Sequence, residues 1–390
     1  MVEWKKLGDI CEIKGRIGFR GYTRDDQVDK GKGAISLSPG NIDNGSMNYE
    51  SCTYITWDKY EESPEIKVNE GDIILCKTAS VGKVARIHHL PEKATINPQL
   101  VLIKNIQTNP QYLFYVLDDK PFQSKIKGLA GIGSVPNVSQ AKLSAIEIPI
   151  PSLFEQIRIV GILDTFTASI NNLKEQIAQR RKQYEYYRDQ LLDLEGKPDK
   201  DIHSWGEFCE MEKGNGVQKV DFVDEGLGCI HYGQIYTHYG SYAYETNKYV
   251  SRYTFDNAKK ASKGDIIMTD TSENVDDICK SVAWLGDEDI AVSNHALIIK
   301  HEQNPKFLSF STQTNSFFVQ KRRFVVGVKV SGIKPENLAQ IMIYLPSLKE
   351  QQRIVSILDT FEASIQNLEA QLSQREKQYE YYRNKLLTFE

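Results

Sequence analysis

The side chains that most often carry catalysis are present in this chain but stand apart from one another. The chain has 7 histidines and 6 cysteines, with no His-Glu-x-x-His motif and no Cys-x-x-Cys pair. These spacings give no zinc site and no cysteine nucleophile with a histidine partner. We expect the histidines to be surface or core residues. We expect the cysteines to be reduced and mostly buried: Cys11, Cys52, Cys76, Cys209, Cys229 and Cys279.

Motifs that bind nucleotides or cofactors are missing as well. There is no G-x-x-x-x-G-K-[ST] phosphate loop, and Gly128, Gly131 and Gly133 lack the strand, helix and acidic residue that frame a dinucleotide loop. A base-flipping methyltransferase needs an Asn/Asp-Pro-Pro-aromatic loop, and a metal-dependent nuclease needs Pro-Asp followed by Asp/Glu-x-Lys. The nearest approaches to the first lack the second proline: Asn97-Pro98, Asn109-Pro110 and Asn304-Pro305. The sequence therefore predicts a chain without catalytic residues, metal or cofactor of its own.

The elements that must position any functional residue form a tandem repeat. The segment Ile-Pro-Ile-Pro-Ser-Leu-Phe-Glu-Gln-Ile-Arg-Ile-Val from Ile148 recurs as Ile-Tyr-Leu-Pro-Ser-Leu-Lys-Glu-Gln-Gln-Arg-Ile-Val from Ile343. The match runs without gaps to Glu195 and Glu390, and about two thirds of the paired positions are identical. A repeat at half the chain length indicates that the chain consists of two copies of one structural unit.

Each copy of this segment predicts one long helix. Ser152-Leu-Phe-Glu155 and Ser347-Leu-Lys-Glu350 each follow a proline and have the pattern of a capping box, which begins a helix. About forty helical residues would span roughly 60 Å, and their apolar stripe needs a partner. The other copy, running antiparallel, is the simplest one. The apolar positions alternate in steps of three and four, as in a coiled coil: Leu163, Phe166, Ile170, Leu173, Ile177, Tyr184, Tyr187, Leu191 and Leu194, then Leu358, Phe361, Ile365, Leu368, Leu372, Tyr379, Tyr382, Leu386 and Phe389.

Two arginines, Arg180 and Arg375, interrupt this apolar seam at equivalent positions. They could fix the register of the helix pair at some cost in stability. They could equally extend outward or pair with a glutamate.

Composition and charge set broad limits. The 390 residues are 40% hydrophobic and 26% charged, which suits two or three globular cores. No apolar run approaches the roughly 18 residues of a membrane span and no signal-type core is present, so we expect a cytoplasmic protein. The formal net charge of −4 argues against a basic coat that binds nucleic acid unaided. A local basic strip can still contact DNA.

The regions before the two helices differ more but keep common landmarks. Trp4 and Gly8-Asp-Ile-Cys-Glu-Ile correspond to Trp205 and Gly206-Glu-Phe-Cys-Glu-Met, and a Gly-Asp-Ile-Ile run begins at Gly71 and at Gly264. Short β-branched runs between turn residues predict strands at 73–75, 100–103, 266–268 and 296–299. Helices are expected at 111–117 and 306–320. We therefore predict two mixed α/β domains with similar scaffolds and different loops.

Two variable domains, each closed by Pro-Ser-Leu-x-Glu-Gln-x-x-Ile-Val at the start of a long helix, resemble the DNA-specificity subunit of type I restriction-modification enzymes. The resemblance covers the whole chain, and its most specific parts are Pro151 to Val160 and Pro346 to Val355. It implies an α+β fold in which two tandem target recognition domains are joined by two long helices that form an antiparallel coiled coil with pseudo-two-fold symmetry. The corresponding bounds are 1–150 for the first domain, 151–195 for its spacer helix, 196–345 for the second domain and 346–390 for its helix.

The same resemblance implies a division of labour. The two domains would read two short DNA half-sites, and the helices would set the spacer between them and dock two modification subunits. Those partners would bind S-adenosylmethionine and methylate adenine. Two restriction subunits, when bound, would hydrolyse ATP with Mg²⁺ and cut DNA. This chain would select the site and perform no chemistry.

Reading DNA requires hydrogen-bonding side chains on loops together with Lys and Arg for the phosphates. The first domain offers Arg16, Arg20, Lys77, Thr78, Ser80, Lys83, Asn97, Gln99, Ser134 and Asn137. The second offers Thr269, Thr271, Ser272, Asn274, Ser293, Asn294, His295, Lys321, Arg322, Arg323 and Lys329. The basic run at 321–323 is the strongest electrostatic candidate. Each of these residues could instead belong to a solvated loop.

Residues shared by the two helix starts are candidates for partner binding. They are Glu155, Gln156 and Arg158 in the first copy and Glu350, Gln351 and Arg353 in the second. Helix capping and solvation would explain them as well.

Two other classes of function remain open on the sequence. A non-catalytic coiled-coil adaptor joining two protein-binding domains would show the same repeat. A self-contained enzyme is disfavoured by the missing cofactor loops. Sequence-specific, salt-dependent binding of the assembled complex to a bipartite duplex would separate the first hypothesis from the adaptor.

Overall fold

The computed structural model describes residues 2–16, 21–131, 135–327 and 331–389. Its internal contacts divide the chain into two compact units. Unit 1 comprises Met1–Leu173 with Gln371–Glu390, and unit 2 comprises Lys174–Ala370. Each unit therefore contains one mixed α/β domain and part of each long helix. The bounds expected from the sequence instead assign each long helix whole to one segment of the chain.

The domain of unit 1 is built on two four-stranded sheets. One sheet has the order β10-β4-β7-β3 and the other β2-β11-β8-β9. The strands are β1 Glu3–Lys6, β2 Glu12–Lys14, β3 Gln27–Val28, β4 Ala34–Leu37, β5 Ile42–Asp43, β6 Ser46–Met47, β7 Thr53–Ile55, β8 Ile73–Cys76, β9 Val84–Arg86, β10 Ala94–Ile96, β11 Leu100–Lys104 and β12 Glu147–Ile150. The helices are α1 Leu7–Ile10, α2 Trp57–Glu61, α3 Pro110–Asp118, α4 Lys120–Leu129, α5 Gln140–Ser144 and the long α6 Leu153–Leu192.

Strand β8 shows why the apolar run of unit 1 does not alternate with polar residues. Ile73 and Leu75 join the core beneath α3, α4 and the long helices. Ile74 and Cys76 point the other way, into the core between the two sheets. Because successive side chains of a strand face opposite sides, a strand buried on both sides must be apolar throughout.

The Gly-Asp pair before this strand is a turn in both copies. Gly71 has φ 91° and Gly264 has φ 100°, values in the left-handed region that favours glycine. The carboxylates of Asp72 and Asp265 then accept hydrogen bonds from the backbone N–H groups of Asn69 and Ser262, each at 2.8 Å. The shared motif therefore serves the scaffold.

The domain of unit 2 repeats this plan with two five-stranded sheets, ordered β14-β24-β20-β22-β17 and β15-β18-β16-β23-β19. The strands are β13 Ile202–Ser204, β14 Cys209–Lys213, β15 Phe222–Val223, β16 Leu227–Ile230, β17 Tyr242–Ala243, β18 Lys248–Val250, β19 Lys260–Ala261, β20 Ile266–Thr269, β21 Thr271–Ser272, β22 Ser281–Trp284, β23 Ile290–Val292, β24 Ala296–His301, β25 Ser331–Gly332 and β26 Met342–Tyr344. The helices are α7 Trp205–Phe208, α8 Tyr232–Thr237, α9 Arg252–Asn257, α10 Pro305–Ser311, α11 Asn315–Phe324, α12 Pro335–Leu338 and the long α13 Leu348–Leu387.

The helical region expected at 306–320 is present as two helices, with a break between them that the sequence did not indicate. Helix α10 ends at Ser311, and α11 begins after Thr314, whose hydroxyl accepts a hydrogen bond from the Phe317 N–H at 3.3 Å. The Thr314 side chain thereby accepts a hydrogen bond from the first turn of a new helix, which allows the chain to change direction between α10 and α11. The four predicted strands are present as β8, β11, β20 and β24, and the first predicted helix is α3.

The two long helices pack antiparallel within each unit, as the apolar seam predicts. In unit 1 Phe166 stacks on Tyr382 with ring centroids 5.3 Å apart, and in unit 2 Tyr187 stacks on Phe361 at 5.4 Å. The seam arginines lie over the same phenylalanines: Arg375 is 5.7 Å from the Phe166 ring centroid and Arg180 is 5.9 Å from that of Phe361. Cation–π contact thus accommodates both arginines at the seam.

Ionic contacts add to this packing. In unit 1 the Arg383 guanidinium lies 3.3 Å from the buried carboxylate of Asp119, at the junction of α3 and α4. In unit 2 the Arg181 guanidinium contacts Glu369 at 2.6 Å. No helix in the described ranges combines the length and apolarity needed to cross a membrane.

Candidate functional site

Many of the residues predicted to read DNA in the first domain meet at one edge of the sheets. Lys77 directly follows β8, while Asn97 and Gln99 lie in the turn between β10 and β11. The Lys77 N–H donates to the Gln99 carbonyl at 2.9 Å, which extends the β8–β11 ladder by one bond. We call this arrangement, centred on Lys77 and Gln99, the strand-end corner.

A loop from later in the chain completes the corner. Thr78 forms an antiparallel bridge with Asn137, and the Thr78 hydroxyl lies 2.9 Å from the Asn137 Oδ1. Ser80, Lys83 and Asn137 are exposed, and Lys77, Thr78 and Gln99 are half-buried. Six of the ten predicted residues therefore lie near one another and are at least partly accessible.

Two further predicted residues, Arg16 and Asn97, are buried and stabilise the corner through hydrogen bonds. Arg16 is 4% exposed, and its guanidinium donates to the Ile96 carbonyl and to the Thr95 hydroxyl, each at 3.2 Å. The Asn97 side-chain oxygen Oδ1 accepts a hydrogen bond from the Gln99 N–H at 3.0 Å. Both side chains are committed to the turn between β10 and β11. Arg20 and Ser134 lie outside the described residues.

The second domain builds the equivalent corner with different side chains. Asp270 follows β20 as Lys77 follows β8, and its N–H donates to the carbonyl of His295 at 3.2 Å. Asp270 is 4% exposed and its carboxylate contacts the Lys213 ammonium at 2.8 Å. The His295 imidazole lies 3.9 Å from the other carboxylate oxygen. Sequence reasoning missed Lys213 and Asp270, although the position of Asp270 after the Gly-Asp-Ile-Ile run could have indicated it.

The remaining predicted residues of this corner divide into exposed and buried groups. Thr271 and Ser272 form β21, which pairs with β25, and Asn274 and Asn294 are exposed. Thr269 and Ser293 are fully buried. The Ser293 hydroxyl accepts the Tyr232 N–H at 2.8 Å, so it has a structural partner within the domain.

The basic run at 321–323 does not act as one patch. Lys321 is 4% exposed, and its ammonium donates to the carbonyls of Asp276 and Ile278, both at 2.7 Å. It therefore ties α11 to the loop that follows β21, and burial lowers its pKa. Arg322 and Arg323 are exposed, and only these two offer charge to an outside phosphate. Lys329 lies outside the described residues.

The starts of the two long helices carry identical ion pairs. The Arg158 guanidinium contacts both oxygens of Glu155 at 2.5 and 2.7 Å, and that of Arg353 contacts both oxygens of Glu350 at 2.6 and 2.8 Å. These hydrogen bonds lower the pKa of both glutamates. The expected capping box is only half formed at the first helix, because the Ser152 hydroxyl accepts the Glu155 N–H at 3.3 Å while the carboxylate of Glu155 turns to Arg158.

The neighbouring glutamines face inward. Gln156 is 4% exposed and Gln351 is fully buried, and each makes hydrogen bonds within its own unit. Of the six candidates for partner binding, the four charged ones are accessible or partly so and the two glutamines are not.

Apolar side chains are exposed next to these ion pairs. Leu153, Phe154 and Ile157 are 61%, 79% and 55% exposed at the first helix start. At the second start Leu348 is 56% exposed, whereas Lys349 and Gln352 occupy the positions equivalent to Phe154 and Ile157. The two starts thus share charge and differ in apolar surface.

The described residues contain no group of three or more His, Cys, Asp or Glu side chains that could hold a metal ion. The cysteines are free, with Cys52 and Cys209 half-buried and the others buried.

Comparison with known proteins agrees with this architecture. The sequence profile of the type I restriction modification DNA specificity domain matches residues 1–180 and 204–376. A putative type I restriction enzyme specificity subunit of Haemophilus influenzae is 29% identical over 72% of this chain and 72% of its own length. The specificity subunit of the Escherichia coli EcoR124I/EcoR124II type I restriction enzyme is 27% identical over 72% of this chain and 70% of its own length.

Solved structures show the same fold. A chain from a structural study of complex assembly and conformational transition in the type I R-M system superimposes with a TM-score of 0.61 at 16% identity, covering 99% of this chain and 97% of that one. The S subunit of a type I restriction-modification system from M. genitalium gives a TM-score of 0.56 at 15% identity, covering 100% and 97% of the two chains.

Proposed function

This chain belongs to the type I restriction modification DNA specificity family, and from that premise we propose that it reads a bipartite DNA target, one half-site through each domain. One observation carries the proposal. The strand-end corners of the two domains have the same backbone pairing but different side chains. In place of the half-buried Lys77 and Gln99, the second corner has a buried Asp270, which holds the exposed Lys213, and an exposed His295. Equivalent positions with different donors and acceptors suit two different short sequences.

Phosphate contacts would orient each domain, and the corner side chains would read base edges. Lys83 between β8 and β9 in the first domain, and Arg322 and Arg323 in the last turn of α11 in the second, are exposed cations. A net charge of −4 means that this basic surface is local. Much of the affinity for DNA would then come from partner subunits that add positive surface.

The helix starts would dock two modification subunits. Both carry the same glutamate–arginine pair, which provides one repeated polar surface for two copies of the same partner. The modification subunits would hold S-adenosylmethionine and methylate adenine, and restriction subunits, when present, would bind ATP and Mg²⁺. The chain itself would perform no chemistry. Since its target would be cellular DNA, we expect it in the cytoplasm.

The decisive experiment replaces residues 1–147 with the first domain of another specificity subunit and maps methylated adenines genome-wide. We expect one half of the methylated motif to change while the other half and the spacing persist, because each domain reads its own half-site. The purified wild-type complex should also bind its motif, and not a scrambled duplex, in a salt-dependent manner. Indifference to sequence would instead support the protein-binding adaptor, and a change in both halves would refute separate reading.

A further inference from the structure

Two buried glutamines make the same pair of hydrogen bonds in the two units. The Gln156 side chain accepts the backbone N–H of Asn109 at 3.0 Å and donates to the carbonyl of Pro151 at 2.8 Å. The Gln351 side chain accepts the backbone N–H of Asn304 at 3.0 Å and donates to the carbonyl of Pro346 at 2.8 Å. The geometry repeats although the surrounding domains differ. We call each arrangement a glutamine clamp.

The partners of each clamp belong to three different segments. Asn109 and Asn304 are the N-caps of α3 and α10, the helices that pack under the domain sheets. Pro151 and Pro346 lie between the last strand of each domain and the long helix, and the two glutamines lie in the first turn of that helix. One side-chain amide therefore joins the body of the domain, the segment that leaves it and the helix that follows.

Each clamp is reinforced by a neighbouring polar side chain. The Thr108 hydroxyl donates to the Gln156 oxygen at 2.5 Å. In unit 2 the Gln351 amide also donates to the Gln303 side-chain oxygen at 2.9 Å, and the Gln303 N–H donates to His301. Burying a primary amide is unfavourable unless its donors and acceptor find partners. The Gln351 amide donates two hydrogen bonds and its oxygen accepts one, while the Gln156 amide donates one and its oxygen accepts two. Such a network favours one geometry.

The angle at this junction matters for a protein that reads a bipartite target, because a small tilt moves the far surface of the domain by a large distance. A domain of about 150 residues has a radius of gyration near 15 Å, so its far surface lies about 40 Å from a junction at its near surface. A tilt of about 5° would move that far surface by about 3.5 Å, which is one base-pair step of B-DNA. Reading a spacer to a single base pair requires that such tilting be suppressed.

We propose that Gln156 and Gln351 are positioning residues, which fix the angle at which each domain leaves its long helix and thereby set how strictly the spacer between half-sites is read. This inference rests on the proposed function. The glutamines touch no base and act through the N-cap segments of α3 and α10. They are distinct from the ion pairs of Glu155 and Glu350, which remain available to partners.

The test uses the full chain assembled with its modification subunits. Gln156→Met and Gln351→Met keep side-chain length but remove the clamp bonds. The matched controls are Gln179→Met and Gln374→Met, which alter exposed glutamines at equivalent positions farther along the two helices. Each complex is titrated with duplexes carrying the methylated motif at its native spacing, with the spacer one base pair shorter or longer, or with one half-site base replaced.

We expect the wild type and both controls to bind the altered spacers at least about tenfold more weakly than the native one, in line with a mismatch cost. In either clamp variant this factor should fall below about threefold, while the penalty for a replaced base stays as in the wild type. A purely structural role would weaken binding to all duplexes together and would overturn the inference. Full spacing discrimination in a folded clamp variant would overturn it too.

Hydrogen exchange tests the glutamine clamps without DNA, so its result does not depend on the proposed function. The Asn109 amide should exchange at least about tenfold faster in Gln156→Met, and the Asn304 amide in Gln351→Met, with neither changed in the controls. Unchanged exchange would refute the clamp. Faster exchange in a complex that ignores DNA sequence would refute the proposed function and, with it, the role in spacing.

Discussion

At the scale of single residues, the direction in which a charged side chain points decides what it can do. Lys321, Arg322 and Arg323 are adjacent in sequence, yet the first is buried against two carbonyls and the other two are exposed. Arg16 is likewise buried in the turn beside its corner. The basic residues predicted to contact DNA therefore include both exposed cations and internal braces.

Replacing Lys321 with Met should destabilise the second domain, because two carbonyls would lose a charged donor. We expect the free energy of unfolding to fall by about 2 to 4 kcal/mol, measured by urea denaturation. Arg323→Met is the matched exposed control. It should leave stability unchanged and reduce the salt dependence of DNA binding by about one unit of slope. Equal stability of the two variants would contradict the bracing role of Lys321.

The half-buried His301, whose Nε2 atom is shielded from solvent, should make the second domain sensitive to mild acid. Burial lowers its pKa to about 4, below the ordinary value of about 6.5 that it regains on unfolding. Between these values the unfolded chain binds a proton that the folded chain excludes, so stability falls as the pH is lowered through 6.5 towards 4. From pH 7 to pH 5 the loss attributable to His301 should be about 2 kcal/mol.

The measurement is urea denaturation at both pH values, compared with His301→Asn, which has no titrating ring. The wild type should lose more stability than the variant by this amount. The same loss in both proteins would show that other groups cause the acid sensitivity.

At the scale of elements, the long helices are identical at about two thirds of their paired positions but begin with different surfaces. Both carry the glutamate–arginine pair, while Phe154 and Ile157 of the first helix correspond to Lys349 and Gln352 of the second. Exposed aromatic residues are enriched where proteins bind one another, so the first start offers a larger apolar contact. Two identical modification subunits would meet unequal surfaces.

Truncating Phe154 to Ala should therefore weaken binding of one modification subunit. Because Phe154 is 79% exposed, its loss should leave folding intact while removing a central apolar contact. We expect the affinity to fall by about tenfold or more at one of two sites, resolved by isothermal titration of the purified chain. Tyr253→Ala alters a residue 80% exposed on α9 and serves as the control. No change at either site would place docking elsewhere.

At the scale of the whole molecule, duplication gives two domains that share a scaffold and differ at their corners. The two helices pack antiparallel in both units and use the same aromatic stacking, Phe166 on Tyr382 and Tyr187 on Phe361. Each helix extends over 40 residues, which is long enough to contribute to both units. In the proposed function this length sets the DNA spacer.

Inserting one heptad at equivalent points of α6 and α13 preserves the apolar seam and adds about 10 Å to each helix. The methylated motif should keep both half-sites and gain about three base pairs of spacer, as mapped by methylome sequencing. An insertion in α6 alone leaves the seam unmatched and should lower the melting temperature. An unaltered spacer in the double insertion would refute the role of the helices as a ruler.

Much of the fold could be predicted from local pattern. Long helices are predicted by the proline and capping serine at each helix start and by apolar residues spaced three and four apart. Buried strands are predicted by the β-branched runs. These signals can be recognised because they depend only on neighbours in sequence. The similarity between the two copies then indicated the family. It also showed that the two domains differ from each other more than the two long helices do. The break between α10 and α11 was missed because Thr314 becomes a cap only once it is buried.

The candidate site was only partly predictable, because its corners join residues far apart in the chain. Loop composition selected Lys77, Gln99 and His295, but only the antiparallel pairing of β8 with β11 and of β20 with β24 places Gln99 beside Lys77 and His295 beside Asp270. The sequence by itself determined the repeat, the long helices and the absence of catalytic motifs. Tertiary structure decided which polar side chains face outward, since burial and hydrogen bonding to distant backbone groups, as at Lys321 and Gln351, depend on the packed fold.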